Sequence, residues 1–268
     1  MTVVAVIGAE GFVGSAFAAS LAGEEGVSVR PVTRRSYDAL ARQPCDVVID
    51  CAGNSRKFWA DEDPRAELEA SVGLRLRTLL DFPAGCQLHV SSVDVYSDLT
   101  SAATTGEDAP IDVARTSHYG FHKLLAEQLV RHYAADWLIV RLAGMVGPGL
   151  RKNPVYDVLR GQPLRIHPDS RYQFLATRDA ARIAWALLRR GLRRQVVNVC
   201  GDGLISPREI AQLAGRDPDL SLLRPEDRPR IVDVDIRRLR ALMPVPSTRE
   251  SVAAFLREAG AVSAGAAT

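Results

Sequence analysis

Short apolar runs of strand length alternate with amphipathic stretches through the first two hundred residues. Val3 to Ile7 is continuously apolar, as a parallel strand covered on both faces must be. An alanine-rich helix over 12–22 follows, then a strand over 27–33, a short helix over 36–42 and a strand over 46–51. This alternation predicts an α/β, doubly wound parallel sheet. Pro64 opens an amphipathic helix over 64–81, with Leu68, Val72, Leu76, Leu79 and Leu80 on its apolar face. The next strand, 87–91, delivers Ser91 and Ser92 to its carboxyl end, the edge at which open α/β sheets bind ligands.

Residues 99–116 turn to Thr, Ser, Ala, Asp and Pro and read as a long surface loop. A helix over 117–134 and a strand over 137–140 come next, and then Gly144, Gly147, Pro148 and Gly149 break the pattern. The expected organisation is a sheet domain over 1–147 and a smaller, mainly substrate-binding lobe over 148–268. Residues 172–200 are expected to return to the sheet through a helix at 179–190 and a strand at 196–199. Helices at 206–215, 235–242 and 247–259 complete the second lobe, and 261–268 is predicted to fray.

Composition narrows the class. Hydrophobic residues make up 47% of the 268 positions and charged ones 25%, enough for a full-sized core. A net charge of +2 argues against nucleic acid or a membrane surface as partner. Cys45, Cys51, Cys86 and Cys200 lack CxxC spacing and read as reduced thiols, so a cytoplasmic location is expected. The first strand begins directly after Met1, leaving no room for a signal peptide, and no run is long enough to span a membrane. His118, His122 and His167 have no metal-like spacing, so no metal is expected. Arg189, Arg190, Arg193 and Arg194 close a helix whose dipole accounts for them.

The glycine turn after the first strand carries the first chemistry. Gly8 permits a strand-to-helix turn, Gly11 a close approach by a pyrophosphate, and Gly14 tight packing of helix on strand. Phe12, Val13 and Gly14 open the helix, where free N–H groups and a partial positive charge favour phosphate. About twenty residues on, a binder of NAD places an acid against the adenosine ribose. Here Arg34 and Arg35 stand instead, two guanidiniums suited to a 2′-phosphate, so NADP is favoured over NAD.

Tyr119 and Lys123, four residues apart on a helix, lie on one face. A neighbouring ammonium favours the phenolate, which equips the tyrosine to exchange a proton with a carbonyl or alcohol oxygen. Ser92, at the tip of its strand, is placed to hydrogen-bond the same oxygen.

Gly8-x-x-Gly11-x-x-Gly14, Ser91-Ser92-Val93-Asp94-Val95-Tyr96, Tyr119-Gly120-Phe121-His122-Lys123 and Arg141-Leu142-Ala143-Gly144 occur in the order found in the extended short-chain dehydrogenase/reductases. The chain resembles this NAD-dependent epimerase/dehydratase family almost throughout. The resemblance implies a Rossmann-type sheet with a smaller C-terminal substrate lobe. It implies Ser92, Tyr119 and Lys123 as catalytic residues, with Lys123 also holding the nicotinamide ribose. Cys51, Ala52, Gly53 and Leu142 would line the cofactor, and a homodimer would form through the helices carrying Tyr119 and residues 64–81.

Departures narrow the activity. Val93 and Asp94 stand where the family's dehydratases carry an Asp-Glu pair, which argues against dehydration. Ser71 and Gly144 replace asparagines of the family pattern, and the second of these commonly touches a nucleotide sugar. Asn54, Asp94 and Arg171 are candidate contacts to an anionic small-molecule substrate, with Ser55, Arg56, Lys57, Arg151, Lys152 and Asn153 nearby in sequence. The expected activity is NADP-dependent reduction of a nucleotide-linked keto sugar. An epimerase that retains its cofactor is the second reading, and a non-catalytic NADP-binding regulator the third.

Overall fold

A computed structural model describes residues 1–260; the fraying expected of 261–268 lies outside the described residues. Six strands form one parallel sheet in the order β2-β1-β3-β4-β5-β8. These are β1 (Thr2–Ile7), β2 (Val27–Val32), β3 (Cys45–Asp50), β4 (Ala84–Ser92), β5 (Trp137–Leu142) and β8 (Gln195–Val199). The strand order reverses between β1 and β3, so the carboxyl ends of the strands frame a crevice there. The central strands are buried on both faces; Leu138, Ile139 and Val140 are fully inaccessible. Helices α1 (Gly14–Leu21) and α8 (Thr177–Arg189) cover one side of the sheet, and Phe17, Leu21, Ala184 and Leu187 share its largest core with Val4, Val6 and Leu88.

The second lobe has its own core, in which Val155, Val158, Ile210, Val252 and Leu256 pack around Phe174. Its helices are α7 (Pro154–Arg160), α9 (Pro207–Leu213) and α11 (Thr248–Glu258), whereas α10 (Arg237–Leu242), expected in this lobe, packs on β8 and buries Leu239 in the core of the main sheet. Ser206 and Ser247 each cap a helix in a full capping box, with Glu209 and Glu250 at N3.

Several expectations are corrected. The helix expected over 12–22 begins only at Gly14, because Gly8 to Val13 stay in the turn. The stretch after Gly53 contains a short helix, α3 (Lys57–Glu62). The helix expected over 64–81 consists of α4 (Pro64–Leu68) and α5 (Leu74–Asp81), joined by a π-helical turn at Glu69–Gly73. Residues 172–176 do not rejoin the main sheet. β7 (Phe174–Ala176) pairs instead with β6 (Gly144–Val146), and only β8 returns. The packing that draws β6 and β7 together is tight, since a Cβ on Gly144 would lie 2.6 Å from the Phe174 ring.

The 99–116 segment is not simply a surface loop. Thr105 is fully buried and its hydroxyl bonds Asp233 O, while Asp235 N donates back to it, both at 2.9 Å. Helix α6 (His118–Tyr133) follows. No helix among the described residues is long and apolar enough to cross a membrane, and the four cysteines are free.

Candidate active site

At the end of β1 the chain turns at Gly8 with φ +76°. A Cβ there would sit 3.1 Å from the Ala52 backbone at the end of β3, and one on Gly14 would sit 2.1 Å from the Gly8 carbonyl oxygen. Gly8 is therefore demanded by conformation and by packing, and Gly14 by packing alone. Gly11 N donates to Gly8 O at 2.8 Å, but the amides of Phe12, Val13 and Gly14 have no acceptor among the described residues. Free amides at the start of a two-turn helix, in a turn that side chains do not fill, fit a pyrophosphate.

Beyond β2, Thr33 and Ser36 cap each other: Thr33 N donates to Ser36 Oγ at 2.9 Å and Ser36 N to Thr33 Oγ1 at 3.3 Å. Arg34 and Arg35 project from this turn, exposed and with no carboxylate partner among the described residues. The turn after β3 is pinned by Asp50, which accepts from Ala52 N at 2.9 Å and pairs in the interior with Arg75. Gly53 is at φ +123°, and a Cβ on it would be 3.4 Å from Lys123 Nζ. Cys51 is partly buried beside this turn, and Leu142 is buried at the carboxyl end of β5.

Ser92, Tyr119 and Lys123 converge because α6 starts against the tip of β4. Ser117 caps the helix by accepting from Gly120 N at 3.1 Å. Gly120 is the contact point: a Cβ there would fall 1.9 Å from Asp94 O, so any larger residue would push the helix and Tyr119 away from Ser92. Tyr119 and Lys123 are each only 7% exposed, and Lys123 Nζ stands 5.4 Å from the Tyr119 ring centre. Ser92 donates its hydroxyl to Asp94 Oδ2 at 2.7 Å, and Lys57 holds the other Asp94 oxygen at 2.6 Å.

Burial holds the proton on Tyr119, and the Asp94 and Glu67 carboxylates reinforce it against the opposing hydrogen bond from Ser92. Lys123 is pushed down to about 8, by burial and then by Arg75, while Glu67, Asp94 and Cys51 act in the other direction. Between about pH 8 and 10.5 the unfolded chain therefore binds more protons at this position than the folded one. The cost of burying the ammonium is complete below pH 8 and is relieved as pH rises through that window. Lys123→Met is expected to stabilise the fold by about 2–3 kcal/mol at pH 7, with the gain shrinking towards pH 10.5. Denaturant titrations of both proteins across this range check it; a gain independent of pH contradicts it.

Beneath Lys123 lies a buried group that local sequence patterns do not mark. Glu67, fully inaccessible, meets His122 Nδ1 across 55 residues of chain and accepts from the Ser71 hydroxyl. Ser71 belongs to the π-helical turn, a distortion that recurs at functional sites. Its hydroxyl is 3.9 Å from the position of a Cβ on Gly53, so the turn faces the Gly53 backbone beside Lys123.

The substrate candidates separate. Asp94 is at the site. Asn54 is folded onto its own loop, donating to Arg56 O at 2.9 Å and accepting from Arg56 N at 2.7 Å. Arg171 is exposed on the second lobe, where its backbone bridges Ile231. Asn153 caps α7 by accepting from Tyr156 N. At Gly144 the Phe174 ring leaves no room for the asparagine of the family pattern. Among the described residues no group of three or more His, Cys, Asp or Glu forms a metal site.

The parallel sheet, its glycine turn at the crevice and the Ser–Tyr–Lys cluster at the carboxyl edge define a class, the NAD(P)-dependent oxidoreductases of the extended short-chain dehydrogenase/reductase type. The chain belongs to the NAD dependent epimerase/dehydratase family, whose profile matches residues 4–200. No curated protein matches it in sequence. Among solved structures it is similar to RMD from Pseudomonas aeruginosa complexed with NADPH, with 23% identity, coverage of 97% of this chain and 99% of that one, and a TM-score of 0.80. The dTDP-4-dehydrorhamnose reductase of Bacillus anthracis in complex with NADP is 18% identical, with 96% and 98% covered and a TM-score of 0.78. The UDP-glucuronic acid 4-epimerase of Bacillus cereus, in complex with UDP-glucuronic acid and NAD, is 20% identical, with 96% and 99% covered and a TM-score of 0.78. At these identities the likeness speaks for the fold.

Proposed function

We propose that this enzyme uses NADPH to reduce a carbonyl carbon, and that its substrate is a nucleotide-linked keto sugar. The observation that carries the reading is the convergence of the buried Tyr119 with Ser92 and Lys123 at the carboxyl edge of the sheet. In the resting site the tyrosine is an acid, the form needed to protonate an oxygen that gains charge. The amides of Phe12 to Gly14 hold the pyrophosphate, Arg34 and Arg35 take the 2′-phosphate, and the small residues Cys51 to Gly53 let the dinucleotide pass along the backbone. Lys123 binds the nicotinamide ribose. When bound, NADPH supplies hydride to the carbonyl carbon. Tyr119 then gives its proton to the carbonyl oxygen, Ser92 holds that oxygen in place, and Lys123 offsets the charge left on the phenolate.

The sugar-nucleotide substrate is supported by the solved relatives, which include a reductase named for dTDP-4-dehydrorhamnose and an epimerase complexed with UDP-glucuronic acid. The epimerase relative holds NAD, whereas Arg34 and Arg35 present cations where NAD selectivity calls for an acid. That contrast favours net reduction over epimerisation. Incubating the protein with NADPH and a panel of nucleotide-linked keto sugars tests the reading. Stoichiometric loss of reduced cofactor with formation of the alcohol is expected, and inversion of a sugar carbon without that loss would establish the epimerase instead.

The cofactor assignment has its own check. Arg34→Ala with Arg35→Ala should weaken NADPH by about 10- to 100-fold, the loss of charge-assisted bonds to one phosphate at an exposed site, and leave NADH within about twofold. Equal weakening of both cofactors, measured by fluorescence titration, would show that the pair does not read the 2′-phosphate.

A further inference from the structure

The chain contains 31 arginines and only three lysines, Lys57, Lys123 and Lys152. All three lysines stand at the candidate site. Lys123 is beside Tyr119, Lys57 reaches Asp94 from the start of α3, and Lys152 reaches across from the second lobe to donate to the carbonyl of Ser55, 97 residues earlier in the chain. Only the first has a part in the reduction proposed above. We propose that Lys57 and Lys152, with Arg56 between them in the loop, form an anion subsite at the junction of the lobes that takes a phosphate-type dianion carried by the substrate.

The charge balance at the junction supports the assignment. Arg56 has no carboxylate partner among the described residues, and Lys152 contacts only a neutral carbonyl. Among the described residues Asp94 is the one carboxylate paired with the cluster, and it also accepts from Ser92. Three cations therefore face one anion, an excess of two positive charges that a dianion would balance. Lys152 registers the crowding: partial desolvation, then Lys57 and Arg56, push its pKa down.

The residue type points to phosphate. Lysine presents a compact charge on a flexible stem and binds a tetrahedral phosphate from any side, whereas arginine's planar fork suits fixed bidentate partners. This chain uses arginine for its exposed structural pairs, including Arg77–Asp38, Arg178–Glu258, Arg189–Glu24 and Arg208–Asp169. Lysine appears where the partner has to be exchanged. Lys57 is 64% exposed and free to leave Asp94 for an incoming anion, while Asp94, at 13%, stays in place beside Ser92. The subsite is separate in sequence from the pyrophosphate turn at Gly8 to Gly14 and from Arg34 and Arg35, so one substrate and one dinucleotide can be held together.

The assignment rests on the reading of the cleft as a substrate pocket, but its test requires no turnover. Protein labelled at lysine with 13Cε gives three side-chain signals, one from each of these lysines, assigned by Lys57→Met and Lys152→Met. With NADPH saturating, addition of inorganic pyrophosphate is expected to shift the Lys57 and Lys152 signals, and the double variant is expected to bind pyrophosphate at least about 10-fold more weakly while keeping its NADPH affinity. Unmoved signals at millimolar pyrophosphate would overturn the subsite. So would binding that the double variant leaves unchanged, or pyrophosphate that only competes with NADPH, which would place the anion in the cofactor's own site. If NADPH itself fails to bind, the same titration on the free protein still decides the subsite, and the failure belongs to the proposed function.

Discussion

Tyr119→Phe is expected to lower carbonyl turnover by about 10²–10⁴-fold while leaving NADPH affinity and the unfolding midpoint close to those of the parent, the usual scale for loss of a positioned proton donor. The phenol is 7% exposed and its oxygen faces the Ser92 hydroxyl of the site, so the ring accounts for most of the packing that the substitution must keep. Because Gly120 sets α6 directly on the Asp94 backbone, the phenylalanine ring keeps the position of the tyrosine ring. Single-turnover measurements with NADPH bound separate the chemical step from binding. If the variant retains more than about a tenth of parental turnover, Tyr119 is not the proton donor.

Glu127→Ala is expected to cost about 3–5 kcal/mol of stability, the largest structural effect of any single change discussed for this protein. Glu127 is fully inaccessible and takes two bonds from Arg141, Nε to Oε1 at 2.9 Å and Nη2 to Oε2 at 2.7 Å, plus one from Ser91 Oγ at 2.6 Å. Its loss leaves a guanidinium that is 2% exposed with only the Tyr96 ring, 4.8 Å away, to face its charge. Tyr96 in turn donates to Asn198 at 2.9 Å, and Asn198 holds the backbone of Thr105 and Asp235. One buried polar network thus joins β4, α6, β5, β8 and the 99–116 segment directly behind Ser92. Urea unfolding of Glu127→Ala beside Glu127→Leu/Arg141→Met checks the argument. The double variant removes both charges and should recover most of the loss; equal losses in the two proteins would mean that packing, and not the stranded charge, set the cost.

These effects differ in how far they are visible from the chain alone. Tyr119 and Lys123 share a helix face by spacing, and their partner Ser92 lies at the end of an apolar run, so local periodicity already sets their neighbourhood. Glu127 and Arg141 sit on a helix and the following strand, and nothing in either segment marks them as a buried pair. The Glu67–His122 contact is more hidden still, joining α4, just ahead of a π-helical turn that periodicity reads as plain helix, to the helix of Tyr119. Lys57 is a loop charge until α3 forms and carries it to Asp94.

By itself the sequence determined the alternation of strand and helix, the parallel sheet, and the turn at Gly8 to Gly14. Each follows from interactions within a few residues: apolar runs that must be covered on both faces, and glycines that permit what a Cβ forbids. The tertiary structure alone decided that β6 and β7 form a separate small sheet around Phe174, that Thr105 anchors its loop in the interior, and which charges are paired out of water. Ion pairs inside a protein depend on which distant side chains share a low-dielectric volume, and that volume exists only once the core has closed.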